Sequence, residues 1–368
     1  MTSTASPRHL PTLTGLRGIA ALAVVFYHIR SGMGGFAPDW LIALLAHGYL
    51  AVDLFFVLSG FVLWWTYGDA FRAQGRATIG PFIVRRIARI FPLHLAIMAA
   101  MALFALALAR SGRAPGAQYP LADLPAHLLL VHNWGLTDRL AWNDPAWSIS
   151  AEWAAYLLLA LAGSAAARMP TGIWRFPLIT LAMAGALGGF YALTGHNNIG
   201  ANIPATGLAR CLAQFAIGVF LCQWWRDCRA NKRGVWLTAL VLAAGDGGLI
   251  ASGLSQPAGV PLVMAALLIA ALEASLLPRP PFGGALAQWL GRISYAVYLS
   301  HFFLWILFKL AFVGDLATVG LLAIAGFVAG VLLVSHWLHH IIERPGCRLF
   351  QRGGDSLLAA IQRRPARG

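Results

Sequence analysis

Arg17 and His28, two side chains of the first apolar segment, have the types and the spacing that can support group transfer. They lie eleven residues apart in a stretch that is otherwise almost entirely apolar. On one α-helix this spacing separates them by about 16 Å along the axis, at a rise of about 1.5 Å per residue. An imidazole can take a proton from a hydroxyl or carry an acyl group, and a guanidinium can bind a phosphate. We therefore expect a reaction centre at His28 and an anion site at Arg17.

Two acidic residues are expected at the depth of His28. Asp53 and Glu152 stand near the start of later apolar segments that run in the opposite direction to the first one. Ionisable groups at membrane depth are functional hypotheses by default, and a carboxylate can orient an imidazole and stabilise its charged form. We predict His28, Arg17, Asp53 and Glu152 as catalytic residues. Helix capping at the membrane edge is an open alternative for the two acids.

A second basic group, Arg85, Arg86 and Arg89, stands just before the third apolar segment. Arg85 and Arg89 are four residues apart and share one face of a helix. Together with Arg17, the three arginines are predicted to bind an anionic donor, although anchoring to anionic lipid is an alternative. Acyl-CoA fits the separation from His28, because it joins phosphates to a thioester through a long, thin arm.

The composition places these residues in a membrane. Hydrophobic residues make up 59% of the 368 positions and charged residues 11%, against about 45–50% and about 25% in soluble proteins. A water-soluble enzyme is thereby excluded. The net charge of +14 is assigned to positively charged inner loops rather than to nucleic-acid binding. The four cysteines have neither a disulfide pattern nor metal-ligand spacing, so no metal is predicted.

Ten apolar runs are long enough to cross a bilayer, and none shows the period-two alternation of a β-barrel. The sequence therefore predicts an all-α, polytopic integral membrane protein with about ten transmembrane helices. We divide it into an N-terminal segment 1–13, a membrane domain 14–341 and a basic tail 342–368. The predicted crossings are Thr14–Ser31, Gly48–Tyr67, Ile90–Ala109, Trp147–Ala166, Phe176–Leu193, Gly207–Trp225, Trp236–Ser252, Val260–Leu277, Ile293–Val313 and Ala317–Ile341.

The distribution of positive charge predicts the orientation. With the N-terminus inside, the inner segments hold 21 of the 27 Lys and Arg residues, and the outer loops hold only four arginines. Short loops rich in Lys and Arg stay in the cytoplasm. Both termini are therefore expected to be cytoplasmic, and the long segment 110–146 is expected outside.

Six sequence blocks resemble the acyltransferase family 3 membrane proteins. The signature of this family is an Arg, followed by ten residues and then a His. Any one block is weakly specific, but all six occur in the family's order over nearly the whole chain. They are Leu13–His28, Gly48–Phe61, Arg85–Pro92, Trp147–Trp153, Ile293–His301 and Glu343–Pro345.

The resemblance implies a ten-helix O-acyltransferase of the bacterial cytoplasmic (inner) membrane. Such an enzyme takes an acyl group, often acetyl, from cytoplasmic acyl-CoA and passes it to a hydroxyl of an extracytoplasmic carbohydrate. O-antigen, exopolysaccharide and lipid-linked glycans are the acceptors implied, and the acceptor and acyl group of this chain stay open. Arg17 and His28 correspond to the family's essential pair, with His28 acting either as general base or as acyl carrier.

The outer substrate site is assigned to four residues within these blocks. They are Trp147, Ser148, Tyr298 and His301. Helix packing is an open alternative for the last two. Some family members append an extracytoplasmic hydrolase domain, which is not expected here, so acceptor transfer uses the membrane domain or a separate outer partner. The competing hypothesis is a transporter or flippase for an anionic lipid-linked substrate, but the repeated halves common in transporters are not found.

Overall fold

The computed structural model describes residues 10–112, 116, 118–169, 172, 174–251, 256–314 and 319–362, without the side chains of 246–251 and 362. Within these ranges the chain is helical and contains no β-strand. The helices are α1 Pro11–Ile29, α2 Asp39–Leu45, α3 Ala51–Gln74, α4 Ile79–Arg110, α5 Leu124–Leu128, α6 Ala146–Ala166, α7 Arg175–Leu193, α8 Ile203–Cys228, α9 Lys232–Ala251, α10 Gln256–Ala274, α11 Ala285–Phe312, α12 Leu321–Leu338 and α13 Arg344–Gln362.

Eight segments of the described chain are long and apolar enough to cross a membrane. One of them, Asp39–Arg110, contains both α3 and α4, and α9 is not included in the eight. The prediction of an all-helical, polytopic membrane protein is confirmed. Each of the ten predicted crossings overlaps a long helix, while the number of crossings and the side of the termini stay predictions.

Several helices begin well before the apolar runs that predicted them. Helix α4 starts at Ile79 rather than near Ile90, and it continues through Pro92 without ending. Helix α11 starts at Ala285 rather than near Ile293. A hydropathy window excludes the polar first turns of such helices, although their backbone is helical. The consequence for the site is that the arginines of 85–89 stand on a regular helix.

Close approach of the backbones joins the central helices in pairs. A Cβ added to Gly60 of α3 would lie 1.9 Å from the carbonyl oxygen of Phe215 in α8, and one added to Gly218 of α8 would lie 1.9 Å from that of Val57. A Cβ added to Gly291 of α11 would lie 2.0 Å from the carbonyl oxygen of Thr14 in α1. Small residues let membrane helices approach closely where dispersion, rather than the hydrophobic effect, drives association.

The C-terminal segment is a helix that packs along α4. Beyond the five-residue π-helix His339–Glu343, Gly346 and Gly354 of α13 lie against Pro92 and Val84 of α4. On another face of α13, Leu349 and Leu357 are exposed. The basic tail predicted over 342–368 is therefore helical to Gln362. Its remaining residues, and most of the predicted segment 1–13, lie outside the described part of the chain.

Candidate active site

Three arginines from two helices line one cavity between α1, α3, α4, α6 and α11. Arg17 comes from α1, and Arg86 and Arg89 come from α4. Glu152 of α6 lines the same cavity, together with Ser and Tyr hydroxyl groups. Its empty volume is about 850 Å³ when the part open to solvent is included. We call it the arginine cavity.

The arginine cavity holds more positive than negative charge. Arg89 forms an ion pair with Glu343, whose side chain is 2% exposed, and its guanidinium lies 5.0 Å from the ring centre of Tyr295. Arg86 donates from Nη2 to the hydroxyl oxygen of Tyr67 at 3.4 Å, but its buried Nε has no partner among the described residues. Within that part of the chain Arg17 has no salt bridge. An anionic ligand would therefore meet an unpaired guanidinium donor.

Arg85 does not belong to the arginine cavity. Its side chain is exposed, and the lining residues of α4 are Arg86, Arg89 and Ile90. Arg85 and Arg89 do not line the cavity together, because the pair that points inward, Arg86 and Arg89, is three residues apart rather than four. Both spacings place side chains on one helix face, so the sequence did not decide between them. A role of Arg85 in donor binding stays a prediction.

His28 lines a second cavity, at the C-terminal end of α1. Asp144, Arg210 and Trp147 line it as well, and its empty volume is about 1030 Å³ including open solvent. We call it the histidine cavity. Two residues, Val52 and Tyr298, line both cavities. These two side chains therefore stand between the two cavities.

The hydrogen bonds of His28 define its tautomer. Its Nδ1 lies 2.9 Å from the carbonyl oxygen of Val24, and because a carbonyl oxygen only accepts, Nδ1 carries the proton. The same Nδ1 lies 3.2 Å from Nε2 of His301. His301 in turn donates from its own Nδ1 to the carbonyl oxygen of Val297 at 3.1 Å. Nε2 of His28 is therefore unprotonated and free to act as a base or a nucleophile.

The expected contact of His28 with two carboxylates is not made. Asp53 is fully buried and accepts from Arg210 at 2.5 and 2.7 Å and from the amide of Gln214. Glu152 lines the arginine cavity instead. Among the described residues the side chain in hydrogen-bond contact with His28 is His301. The catalytic roles of Asp53 and Glu152 stay predictions, but neither acid acts by contact with the imidazole in this arrangement.

The four residues predicted for the outer site lie together. Ser148 and Tyr298 hydroxyls are 2.7 Å apart, and Tyr298 also donates to the carbonyl oxygen of Pro145 at 3.1 Å. Trp147 lines the histidine cavity, with the Arg210 guanidinium 5.4 Å from its ring centre. His301 is fully buried behind His28. Trp147 and Tyr298 thus line the histidine cavity, while Ser148 lines the arginine cavity and His301 lines neither.

Arg210 and Asp144 line the histidine cavity, although sequence reasoning gave them no role there. Arg210 is 1% exposed, and besides Asp53 it donates to the carbonyl oxygens of Ile199 and Tyr49. Burial raises the pKa of Asp144, which precedes α6, to about 6. Arg210 could have been found from the sequence, because it is a charged residue at membrane depth. For Asp144 the only signal was its position before the Trp147–Trp153 block.

Glu273 of α10 has structural partners. Glu273 accepts from Trp225 Nε1 at 3.0 Å and pairs with Lys232. Asp246 lies on α9, where its side chain is outside the described part of the chain. Within the described residues no group of three or more His, Cys, Asp or Glu side chains is arranged to hold a metal ion.

Comparison with known proteins places the chain in one family. A family model described as an acyltransferase domain matches residues 10–340. The acyltransferase MdmB of Streptomyces mycarofaciens is 31% identical over 374 residues, which cover 93% of this chain and 93% of that protein. No solved structure matches the chain.

Two shorter similarities cover about a quarter of the chain each. Protein 2 of the picA locus of Rhizobium radiobacter is 41% identical over 102 residues, which are 28% of this chain and 49% of that protein. The O-acetyltransferase OatA of Staphylococcus aureus is 31% identical over 101 residues, which are 27% of this chain and 15% of that protein.

Proposed function

The chain belongs to the acyltransferase family whose domain covers residues 10–340, and from this membership we propose a transfer between the two cavities. The family makes it a membrane O-acyltransferase, which sets aside the transporter hypothesis. Our proposal is that acyl-CoA binds with its phosphates at the arginine cavity and that an acceptor hydroxyl binds at the histidine cavity. The observation that supports this proposal is that the two cavities share the lining residues Val52 and Tyr298.

The distance along α1 favours acyl-CoA as the donor. Arg17 and His28 are both on this helix, about 16 Å apart along its axis. A phosphate held at Arg17 and Arg86 is too far from His28 for a compact acyl phosphate to react there. The pantetheine arm of coenzyme A is long and narrow enough to carry a thioester past Tyr298.

His28 acts as the general base in the proposed reaction. Its Nε2 takes the proton of the acceptor hydroxyl while the hydroxyl oxygen attacks the thioester carbonyl. The new C–O bond forms and the C–S bond breaks, and the coenzyme A thiolate leaves and recovers the proton from the imidazolium. The alternative in which Nε2 itself takes the acyl group uses the same atom. A rapid quench that traps acyl-imidazole would distinguish it.

The histidine cavity has the chemistry of a carbohydrate site. Aromatic rings of Tyr49 and Trp147 line it beside the polar side chains of Asn198 and Asp144. Flat rings stack on sugar faces, and amide and carboxylate groups pair with hydroxyls. We therefore propose an extracytoplasmic carbohydrate as acceptor and acetyl as the acyl group, at the bacterial cytoplasmic membrane. The name of the similar O-acetyltransferase OatA supports the acetyl group.

The test is acyl transfer by the purified protein in proteoliposomes. Acetyl-CoA and succinyl-CoA are offered with a panel of alkyl glycosides and with non-sugar alcohols, and mass spectrometry measures ester formation. We expect acetylated glycoside, and a roughly hundred- to ten-thousand-fold lower rate in His28→Gln. The matched control is His47→Gln, because His47 is exposed and makes the same contact from Nδ1 to the carbonyl oxygen four residues earlier, at 2.9 Å.

Two outcomes would contradict the proposal separately. Equal rates in His28→Gln and the parent would remove His28 from the chemistry. Esters formed only on the non-sugar alcohols would overturn the carbohydrate acceptor and leave the transfer reaction standing.

A further inference from the structure

A third cavity lies between the beginning of α11 and the end of α12, separate from both cavities described above. Its lining comes from α11, the end of α12, the π-helix and the first residue of α13. The lining residues are Trp289, Arg292, Ile293, His336, His339, His340 and Arg344. None of them lines the arginine cavity or the histidine cavity. Its empty volume is about 890 Å³, open solvent included.

The third cavity contains two arginines and no acidic lining residue. Arg292 and Arg344 are exposed and have no salt bridge within the described ranges. The carboxylate of Glu343 does not line the cavity; it pairs with Arg89 and lies 3.0 Å from Nδ1 of the lining residue His339. The positive charge of the cavity is therefore not neutralised by the protein itself.

His336 adds one hydrogen-bond donor in a fixed orientation. Trp289 Nε1 donates to Nδ1 of His336 at 3.1 Å, so the proton of His336 is on Nε2 in the neutral ring. His340 donates from Nδ1 to the backbone oxygen of His336 at 2.8 Å, and the two rings are 4.3 Å apart. This part of the chain includes the π-helix His339–Glu343, and π-bulges occur frequently at functional sites.

The surroundings of the third cavity are apolar and exposed. On the same helices, within one turn of the lining residues, Leu286 is 69%, Trp337 is 56% and Ile341 is 64% exposed. In a membrane protein such side chains face acyl chains, and aromatic residues mark the headgroup level. A ligand here meets positive charge and apolar surface side by side.

We propose that the third cavity binds the phosphate of an anionic phospholipid from the leaflet at the arginine-rich end of the helices. Arg292 and Arg344 hold the phosphate, and the acyl chains lie on the exposed apolar surface beside it. Basic pockets between transmembrane helices bind anionic headgroups in this way. The cavity stands at the level of the arginine cavity, because Glu343, which pairs with Arg89, immediately precedes Arg344. A nucleotide phosphate of the acyl donor has the same chemistry, so the experiment must separate the two sources.

The experiment compares lipid retention by native mass spectrometry. The delipidated, full-length protein is titrated with phosphatidylglycerol, with phosphatidylcholine and, separately, with coenzyme A. The test variant is Arg292→Gln with Arg344→Gln, and the control is Arg76→Gln with Arg279→Gln. Both control arginines are exposed and line none of the three cavities. They stand in loops predicted to face the same side, so both variants lose the same charge.

We expect the test variant to bind phosphatidylglycerol roughly thirty-fold more weakly, since one arginine near an anionic lipid surface contributes about a factor of five. Phosphatidylcholine binding should be weak and equal in all three proteins, and coenzyme A binding should be unchanged. Equal retention of phosphatidylglycerol in the test and control variants would overturn the proposal, because the surface charge alone would then explain binding. Loss of coenzyme A binding alone would assign the cavity to the donor and overturn the lipid ligand. Thermal unfolding of each variant shows that it is folded.

Discussion

His301 should position His28 rather than take part in the chemistry, and its replacement should have a moderate effect. His301 is fully buried and lines neither the arginine cavity nor the histidine cavity, so it does not reach a substrate. Its Nε2 accepts from Nδ1 of His28 at 3.2 Å. That proton is also held by the carbonyl oxygen of Val24 at 2.9 Å, so His301→Phe removes only one of two acceptors.

The magnitude follows from that shared proton. One neutral hydrogen bond contributes about 0.5–1.5 kcal/mol, which corresponds to a roughly two- to thirteen-fold lower rate if the whole loss appears in the transition state. Removing a general base costs roughly a hundred- to ten-thousand-fold. We therefore expect His301→Phe to lower kcat about five- to tenfold with KM unchanged, far less than His28→Gln. His301→Gln, which keeps an acceptor near the position of Nε2, should recover most of the loss.

The assay is steady-state release of coenzyme A thiol by each variant in proteoliposomes, with varied acceptor. The double variant His28→Gln, His301→Phe should be no slower than His28→Gln alone, since the two residues act as one unit. A loss in His301→Phe as large as that in His28→Gln would refute the reasoning and make His301 a second catalytic group. An unchanged rate would show that Val24 alone fixes the tautomer.

Three further predictions concern the donor site, the packing and the outer segment. Arg86→Gln should weaken coenzyme A binding tenfold or more, because a charged hydrogen bond is lost, while replacement of the exposed Arg85 by Gln should not change it. Equilibrium binding to the purified protein measures both variants, and equal effects would contradict the geometry. Gly218→Val should lower the free energy of unfolding by roughly 1–3 kcal/mol through overpacking, because the new side chain meets a carbonyl oxygen of α3. Unchanged stability in a denaturant titration would show that the helices separate easily. Burial lowers the pKa of His127 to about 4 and that of His132 to about 2. As the pH falls below about 6.5, these two histidines therefore bind protons in the unfolded chain before they do so in the folded chain. Stability should fall by about 2 kcal/mol per histidine from pH 7 to 5, and thermal melts of a His127→Gln, His132→Gln variant should show a flatter pH dependence.

The parts of the site that the sequence predicted are those set by one helix at a time. The positive-inside rule placed Arg17 at the same membrane face as Arg85, Arg86 and Arg89, and the structure brings all of these except Arg85 into one cavity. The 16 Å separation of Arg17 and His28 is likewise a property of α1 alone. Such inferences need no knowledge of which helix lies beside which.

The partners of the buried polar groups could not be predicted, because they depend on helix packing. His301 meets His28 across 273 positions of sequence, and Asp53 meets Arg210 across 157. Equal depth in the membrane, which suggested Asp53 as the partner of His28, does not say towards which neighbour a side chain points. A fully buried guanidinium needs a carboxylate, so Arg210 competes for Asp53 and leaves His28 to a neutral partner.

The contact between α1 and α11 links the proposed donor site to the proposed reaction centre. Gly18 and Gly291 allow these two helices to approach until side chains meet backbone, and the same pair carries Arg17, His28 and His301. A shift of α1 along α11 would therefore move Arg17 and His28 together, and it would break the contact between His28 and His301. Groups on packed helices are held more precisely than groups on loops. In the proposed reaction the rigid pair keeps the distance between Arg17 and His28 constant, and the flexible arm of coenzyme A is the component that adapts.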